Sequence, residues 1–259
     1  AASCSAEELL KQADLALYRA KEEGRNTLRF FDPVMQAAVN QRLQLQAELH
    51  KALRQGELAL FYQPQVDAQG RIVGAEALLR WHHPEKGLVA PGLFIPLAEE
   101  TGQILALGRW VLETALRQQG QWRQDPVLAA LNLSINVSAR QFRQAEFVAE
   151  LRELLLASGA DPRRIKLELT ESLLLQDVEQ VIAIMQALRS LGLGLSLDDF
   201  GTGYSSLGYL KRLPLDQVKI DQGFVRGMLQ DEKDAAIAHS IIALAHRLGL
   251  GVVAEGVET

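Results

Sequence analysis

Residues 165–170 read Ile-Lys-Leu-Glu-Leu-Thr, with apolar and polar side chains in alternation. Successive side chains of a β-strand point to opposite faces, so this stretch predicts a strand with one apolar and one polar face, and Glu168 lies on the polar one. The stretches 131–136 and 195–199 alternate in the same way, and their polar faces carry Asn136 and Asp198. Several strands of this kind indicate a sheet whose apolar side is covered by other elements and whose polar side carries the candidate functional residues.

The wider pattern is one of short strands separated by helices. We predict strands at residues 58–66, 71–81, 130–137, 165–170, 194–199, 216–221 and 250–255. Only four residues separate the first two, which predicts an antiparallel hairpin, and the later strand–helix alternation predicts parallel strands joined by crossover helices. The expected fold is α/β, a TIM-like (β/α)8 barrel with an antiparallel first strand and with the final strand apparently absent. An open doubly wound sheet is the alternative.

The residues before the first of these strands show mainly helical spacing. Apolar spacing predicts a helix over residues 6–24, followed by a short strand at 26–31 and a second helix over 33–55 that we interpret as a linker. His82 and His83, which follow the second strand of the hairpin, are predicted to be surface histidines.

Composition limits the partners and the compartment. The 259 residues carry a formal net charge of −5, which argues against capture of a DNA or RNA polymer by a basic surface. A single cysteine permits no intramolecular disulfide, and no apolar run reaches the ~20 residues of a membrane span. We therefore expect a cytoplasmic segment, while a longer parent protein could carry sensory or membrane-anchoring parts.

Polar residues stand at the ends of six predicted strands: Glu76, Asn136, Glu168, Asp198, Lys219 and Glu255. In parallel barrels the carboxyl ends of the strands form the active-site mouth. Two like charges ~4 Å apart repel by about 4 kcal/mol at an effective dielectric of ~20, so converging carboxylates need a cation. Oxygen ligands without His or Cys favour Mg²⁺ or Mn²⁺. The adjacent Asp198 and Asp199 could bridge two ions. Taken singly, these residues also have ordinary explanations, such as an ion pair between Glu76 and Arg80.

Several motifs in order identify a resemblance. Glu76-Ala77-Leu78-Leu79-Arg80-Trp81 resembles the signature of the EAL domain. Glu168-Leu169-Thr170-Glu171, the run from Asp198 to Leu207, Lys219-Ile220-Asp221 and Glu255-Gly256-Val257-Glu258-Thr259 follow in the order of that family. The resemblance covers about residues 40–259 and implies a TIM-like barrel. Residues 13–26 resemble the closing helix and turn of a GGDEF domain, so we expect a GGDEF remnant at 1–31, a linker helix at 32–55 and a C-terminally truncated EAL domain at 56–259.

The resemblance implies a role for each matched position. The expected metal ligands are oxygen donors at strand ends, namely Glu76, Asn136, Glu168, Asp198 and Asp199. The expected catalytic positions are four. Lys219 is expected to contact the attacking water, with Asp221 near that lysine. Glu255 is expected to contact a metal ion or water, and Glu171 to anchor the loop after Asp199. The expected substrate contacts, with an arginine for phosphate, are Gln63, Leu79, Arg80 and Pro96.

The implied activity is hydrolysis of cyclic di-GMP (c-di-GMP) to linear pGpG in bacterial second-messenger signalling. It is expected to use two Mg²⁺ or Mn²⁺ ions, to be inhibited by Ca²⁺ and to occur in a homodimer formed through the EAL domain. Two alternatives stay open: a c-di-GMP receptor without turnover, and a dimerisation module.

Overall fold

A computed structural model describes residues 5–22, 24, 26–175, 177–201 and 207–257. Its centre is a curled, mostly parallel sheet. The strands are β1 (Leu58–Val66), β2 (Ile72–His83), β3 (Gly87–Val89), β4 (Asn132–Val137), β5 (Ile165–Thr170), β6 (Gly194–Phe200), β7 (Gln217–Ile220) and β8 (Gly251–Ala254). Apart from the short β3, each matches a predicted strand within a few residues.

Helices lie between most of the strands. They are α1 (Ala6–Glu22), α2 (Pro33–Gln55), α3 (Pro91–Thr101), α4 (Ile104–Trp122), α5 (Ala139–Phe142), α6 (Phe147–Ser158), α7 (Val178–Ser190), α8 (Leu207–Leu210), α9 (Gln222–Gly227) and α10 (Glu232–Arg247). Single turns of 3-10 helix occur at Leu128–Ala130, Pro162–Arg164 and Glu171–Leu175. Among the helices of the described residues, none has both the length and the apolar character that crossing a membrane requires.

The order of the strands decides between the two predicted folds. Hydrogen-bonded neighbours follow the order β1-β2-β4-β5-β6-β7-β8, with β3 paired to β2. The β1–β2 pair is antiparallel, and the pairs from β2–β4 onward are parallel. A doubly wound sheet reverses its strand order at a switch point. This sheet advances in one direction, so the TIM-like barrel architecture with an antiparallel first strand is confirmed.

The helix-facing side of the sheet forms the main core. Alternate residues such as Leu133, Ile135, Leu167 and Leu195 are fully buried there and pack with apolar residues of α4, α6 and α7. Complete burial of one leucine contributes about 1.5–3 kcal/mol relative to exposure. The apolar alternation of the sequence therefore fixes which face of each strand points outward to the helices, and leaves the polar face inside the barrel.

A second apolar cluster joins α2 to the barrel. Leu49 and Ala52 of α2 are fully buried with Trp81 of β2 and Phe94 of α3. Gly56 ends α2 with φ 71°, a left-handed conformation that glycine adopts without a steric penalty. The carboxyl half of the predicted linker helix thus packs directly on the domain that follows it.

The strand predicted at residues 26–31 is wrong. Residues 27–32 have no regular secondary structure, and the described sheet contains no strand that pairs with this segment. A strand needs neighbouring strands to satisfy its main-chain hydrogen bonds. The apolar side chains Leu28 and Phe30 are exposed, so burial does not fix the segment either.

The prediction of two surface histidines holds for His82 and is wrong for His83, which is only 6% exposed. Nδ1 of His83 accepts hydrogen bonds from the main-chain N–H groups of Glu85 (3.1 Å) and Lys86 (3.2 Å). Its Nε2 lies 3.1 Å from Glu48 Oε2 on α2. Because Nδ1 is an acceptor, Nε2 carries the proton that Glu48 accepts. His83 therefore ties the β2–β3 turn to α2.

We expect His83→Ala to lower the free energy of unfolding by about 2 kcal/mol, because it removes a buried ring and the acceptor of two partly buried main-chain N–H groups. Urea denaturation followed by circular dichroism measures this change. The neighbouring variant His82→Ala is the matched control, and a change within about 0.5 kcal/mol is expected at that exposed position. Equal effects of the two variants would contradict the structural role of His83.

Candidate active site

One buried ammonium group lies among four carboxylates at the mouth of the barrel. Lys219, on β7, is only 1% exposed. Its Nζ lies 2.7 Å from Glu168 Oε2 and 3.2 Å from Asp198 Oδ2. It also lies 3.3 Å from Glu76 Oε2 and 2.5 Å from Glu255 Oε1. The structure therefore brings together side chains that are far apart in the sequence.

The sheet positions these groups because Glu168, Asp198 and Glu255 stand at or near the carboxyl ends of parallel strands and Glu76 lies in the part of β2 that pairs with β4. Glu76 stands on β2, Glu168 on β5 and Asp198 on β6, while Glu255 follows β8 directly. Asn136 of β4 donates a hydrogen bond from Nδ2 to Glu76 Oε1 at 2.7 Å. That orientation leaves the Asn136 amide oxygen available to a cation, because the hydrogen bond to Glu76 uses the amide nitrogen. The carboxyl ends of the parallel strands thus share one mouth, as expected for this architecture.

A bulge lets two consecutive aspartates face the same site. Side chains at adjacent strand positions normally point to opposite faces. Here the β6–β7 register shifts between Leu197 and Phe200, and Asp199 has φ 54°. Aspartate is among the few residues that adopt this left-handed conformation readily. Asp198 Oδ1 accepts the N–H of Asp199 at 3.0 Å, which stabilises the turn. The irregularity brings both carboxylates to the mouth.

Burial and mutual repulsion shift the titration of these groups. Burial raises the pKa of Glu168 to about 7, although the Lys219 ammonium opposes the shift. Burial also raises the pKa of Asp199, and the charge of Asp198 adds to that effect. Burial alone would lower the pKa of Lys219, but Glu168, Asp198 and Glu76 hold it above its ordinary value. Lys219 is therefore a cation at neutral pH.

The donor set fits a metal ion. Four carboxylates contact one ammonium, which leaves three negative charges without a counter-ion when all four are ionised. Oxygens of Asp198, Asp199 and Glu255 all lie within 4.8 Å of one another. Glu168 Oε1 is buried and has no hydrogen-bond partner within the described residues. A buried, unsatisfied carboxylate oxygen is costly, and a cation would satisfy it. This cluster could bind a metal ion.

Two further predicted acids support the segments that follow the strands. Glu171 is buried, and its Oε2 accepts the main-chain N–H of Gly201 at 3.4 Å. Gly201 has φ +99°, and a Cβ there would lie 3.1 Å from Ile241 and Phe224 side chains, so glycine is required. Asp221 caps α9, because its Oδ1 accepts the N–H of Gly223 at 2.9 Å. Both acids hold backbone near the cluster.

We expect Glu171→Ala to weaken Mn²⁺ binding by about 10- to 100-fold, because the variant frees the backbone that follows Asp199. Titration calorimetry with Mn²⁺ measures the affinity. Glu153→Ala, at an exposed position of α6, is the control and should bind Mn²⁺ like the parent chain. Unchanged affinity in Glu171→Ala would show that this hydrogen bond does not position the cluster.

The four predicted substrate contacts are not all on one surface. Residues opposite one another in an antiparallel pair share a face, so Gln63, paired with Glu76, faces the mouth. Arg80 lies on the same face by alternation, and its guanidinium carbon is 5.7 Å from the Phe61 ring centroid. Leu79 points to the opposite face and packs against both apolar clusters. Pro96 is an exposed residue inside α3. Their roles stay predictions.

Some motif residues lie outside the described part of the chain. These are residues 202–206, in the run after Asp199 expected to contribute dimer contacts, and residues 258 and 259. Conversely, alternation places Lys166, Ser196 and Gln217 on the inner face of the barrel beneath the cluster, and the sequence analysis assigned them no role. The sequence did contain a feature that indicates this position for Lys166, because Lys166 alternates with Glu168 on the polar face of β5.

This chain is similar to curated proteins of known name. The curated bifunctional diguanylate cyclase/cyclic di-GMP phosphodiesterase MucR of Pseudomonas aeruginosa is 48% identical over 253 residues, covering 97% of this chain and 37% of that protein. The cyclic di-GMP phosphodiesterase NbdA of the same organism is 44% identical over 257 residues, covering 98% of this chain and 32% of that protein. This chain thus spans about a third of the length of these relatives.

A solved structure and a family model also match this chain. The c-di-GMP complex of PaMucR phosphodiesterase matches with a TM-score of 0.81 and 48% identity, covering 83% of this chain and 87% of that chain. The family model described as the EAL domain matches residues 46–259. On this match, which includes every strand of the barrel and every acid of the cluster, the chain belongs to the EAL-domain family.

Proposed function

We propose that this chain is a metal-dependent phosphodiesterase that hydrolyses c-di-GMP to linear pGpG in bacterial second-messenger signalling. One observation carries the proposal: four carboxylates from separate strands meet one buried ammonium at the active-site mouth of a TIM-like barrel. The relatives MucR and NbdA are named as c-di-GMP phosphodiesterases, and PaMucR phosphodiesterase was solved with c-di-GMP. Each position matched to a metal ligand or to the lysine keeps the expected residue type.

The proposed cofactor is a pair of Mg²⁺ or Mn²⁺ ions. Asp198, Asp199 and Glu255 would hold one, because their oxygens already lie together. Glu76, Asn136 and Glu168 would contribute further oxygens, with Asp199 shared between the ions. When bound, such ions would lower the pKa of a water molecule and stabilise negative charge on the phosphoryl oxygens. Ca²⁺, which prefers longer bonds and more ligands, is expected to inhibit.

Lys219 contributes a fixed positive charge. Its raised pKa keeps it an ammonium, so it donates hydrogen bonds and does not act as a general base. In the proposed reaction, the water oxygen adds to phosphorus and the bond from phosphorus to the 3′ oxygen breaks. One proton of the water goes to the 3′ oxygen, and the other is released to solvent as the new phosphate monoester ionises. Lys219 would orient the attacking water by donating to its oxygen, and its charge would stabilise the negative charge that develops. Asp221 lies close enough to raise the pKa of Asp199 and would contribute to the same electrostatic field.

Arg80 is proposed to bind a phosphate of the substrate. Its Nη1 donates to the Leu79 carbonyl at 2.9 Å, and its guanidinium lies over Phe61. These contacts hold the planar group on the same face as Glu76, with N–H donors left over for phosphate oxygens. Gln63 is proposed as a second contact on that face, and Leu79 and Pro96 as residues that shape the pocket.

The proposal extends to assembly and location. A homodimer through the EAL domain is proposed from the family resemblance. A cytoplasmic location is proposed because a chain with one cysteine does not depend on an intramolecular disulfide.

We expect Mn²⁺ to stabilise the fold by relieving repulsion in the cluster. At a concentration 100 times its Kd, an ion that binds only the folded state adds about 2.7 kcal/mol. For a chain of this size that corresponds to a rise in Tm of roughly 5–10 °C. Differential scanning calorimetry with and without Mn²⁺ measures the shift. A rise of the same size in a variant that carries both Asp198→Asn and Glu255→Gln would place the ion elsewhere.

Product analysis tests the function itself. The chain is incubated with c-di-GMP and Mg²⁺ or Mn²⁺, and the nucleotides are separated by ion-exchange chromatography. We expect linear pGpG, and its loss when EDTA or excess Ca²⁺ is added. Saturable c-di-GMP binding by folded protein without any product would reject hydrolysis and favour the receptor function.

A further inference from the structure

The opposite mouth of the barrel contains a cavity. Its volume is about 360 Å³, and the amino ends of β5 and β6 with the segments that precede them form its wall. Four basic residues line it, namely Arg163, Arg164, Lys166 and Arg189. Asp216 is the one acidic residue among the described residues that line it. This excess of positive charge contrasts with the net charge of −5 of the whole chain.

The single acid does not neutralise the cavity. Asp216 Oδ1 lies 2.7 Å from Arg189 Nη1, and its Oδ2 accepts the N–H of Leu195 at 2.8 Å. Asp161, just outside the lining, pairs with Arg163 at 2.9 Å. Each acid therefore already has one arginine. Of the two other basic residues, Lys166 is also attracted by Asp216 and Glu168, whereas Arg164 has no ion pair within the described residues.

Those two residues present hydrogen-bond donors to the cavity. The Arg164 guanidinium is half-buried and has no hydrogen-bond or ion-pair partner within the described ranges. Lys166 Nζ contacts Gln217 Oε1 and has further protons to donate. Next to that contact, Gln217 Nε2 is buried without an acceptor in the described part of the chain, although Gln217 is only 7% exposed. Unsatisfied donors beside a basic cavity point to an anion.

Gly194 lies between two side chains that line the cavity. A Cβ on Gly194 would lie 3.5 Å from Asp216 Oδ2 and 3.6 Å from Lys166 Cγ, so a larger side chain would occupy the space between them. The volume is at the small end of the range for ligand sites, which is roughly 300–1,000 Å³. An anion with one or two phosphate groups suits this size, and an arginine fork suits its oxygens.

We propose that the amino-terminal mouth of the barrel binds a small phosphorylated anion, with Arg164 and Lys166 as its main contacts. The site is separate from the acidic cluster, because none of the residues that line it belongs to the cluster and Lys166 precedes Glu168 toward the amino end of β5. The proposal does not depend on the proposed phosphodiesterase activity, since it uses none of those residues.

Pyrophosphate is the probe that tests this site. The chain is titrated with pyrophosphate by calorimetry at low ionic strength, with EDTA present so that no metal can bridge the anion to the acidic cluster. We expect one saturable site, and a loss of affinity of roughly 10- to 100-fold in Arg164→Glu, as for loss of a hydrogen bond between charged groups. Arg152→Glu makes the same charge change at an exposed position of α6 and should bind pyrophosphate like the parent chain.

Three outcomes would overturn the proposal. They are the absence of saturable binding, an equal loss in Arg152→Glu, and loss of pyrophosphate binding in Asp198→Asn, which would place the anion at the acidic cluster. Thermal unfolding confirms that each variant is folded. If Arg164→Glu does not fold, Arg164→Gln is judged by the same comparison. Amide chemical shifts provide an independent readout, and we expect the largest changes at Gly192 and Gly194 on addition of pyrophosphate.

Discussion

Asp198→Asn is expected to reduce the rate of c-di-GMP hydrolysis by roughly 10³-fold or more, the size of effect seen when an electrostatic contact to a reacting phosphoryl group or its metal is lost. Asp198 contacts Lys219 and lies with Asp199 and Glu255 in the cluster that could bind a metal ion. The amide keeps the shape of the side chain and removes its charge. Initial rates of pGpG formation at saturating Mn²⁺ measure the effect.

The control for this variant is Asp14→Asn, which makes the same chemical change at an exposed position of α1. Its rate should equal that of the parent chain. Because Asp198→Asn removes repulsion in the absence of metal, we expect the metal-free variant to be no less stable than the parent. Hydrolysis by Asp198→Asn within about tenfold of the parent rate would contradict the proposed role of the cluster.

Lys219→Met is expected to abolish turnover and to lower the free energy of unfolding of the metal-free chain by about 3–5 kcal/mol. Removing one partner from a buried ionic network leaves the other charges uncompensated, and here Glu168, Asp198, Glu76 and Glu255 all lose their ammonium. Methionine fills a similar volume, so a cavity is not the cause. Urea denaturation in EDTA measures the loss of stability.

Addition of Mn²⁺ tests whether uncompensated carboxylates cause the loss of stability in Lys219→Met. If repulsion between carboxylates destabilises Lys219→Met, saturating Mn²⁺ should raise its Tm by more than it raises the Tm of the parent chain. Lys51→Met, at an exposed position of α2, removes the same charge and should leave both stability and the Mn²⁺ effect unchanged. A variant that is destabilised but gains no extra stability from Mn²⁺ would indicate a packing defect instead.

Alternation along the strands was sufficient to predict the strands, but not the way in which the sheet winds. It identified the seven strands that follow one another around the barrel, and the four-residue link between the first two predicted strands predicted their antiparallel pairing. The winding direction was not available from periodicity, because a doubly wound sheet shows the same rhythm of strands and helices. The resemblance to the EAL domain favoured the barrel, and the monotonic strand order decided it.

The candidate site was only partly predictable from spacing. Alternation assigned Glu76, Glu168, Asp198 and Lys219 to the inner face, and the structure places them within hydrogen-bonding distance of one another through Lys219. The same rule would send Asp199 to the outer face. The bulge and the positive φ at Asp199 reverse that expectation, and no periodic signal reveals them. Its adjacency to Asp198 and the resemblance indicated Asp199, and the alternation did not.

The other errors arose where tertiary contacts override local pattern. His83 follows a strand and precedes a turn, a context that usually means exposure, but its ring accepts two main-chain hydrogen bonds and pairs with Glu48 on a helix about 35 residues earlier in the chain. Residues 26–31 have apolar side chains that suit a strand, yet no strand of the described sheet pairs with them. Neither the contact of His83 with Glu48 nor the lack of a neighbouring strand for residues 26–31 can be recognised from local sequence.

The anomalous scattering of a crystal of this chain soaked with Mn²⁺ tests the metal-dependent account most directly. We predict a strong peak at coordinating distance from the carboxylates of Asp198, Asp199 and Glu255, and its disappearance in a crystal of Asp198→Asn. Saturating Mn²⁺ that gives no peak at this mouth of the barrel, or a peak that Asp198→Asn leaves unchanged, would contradict it.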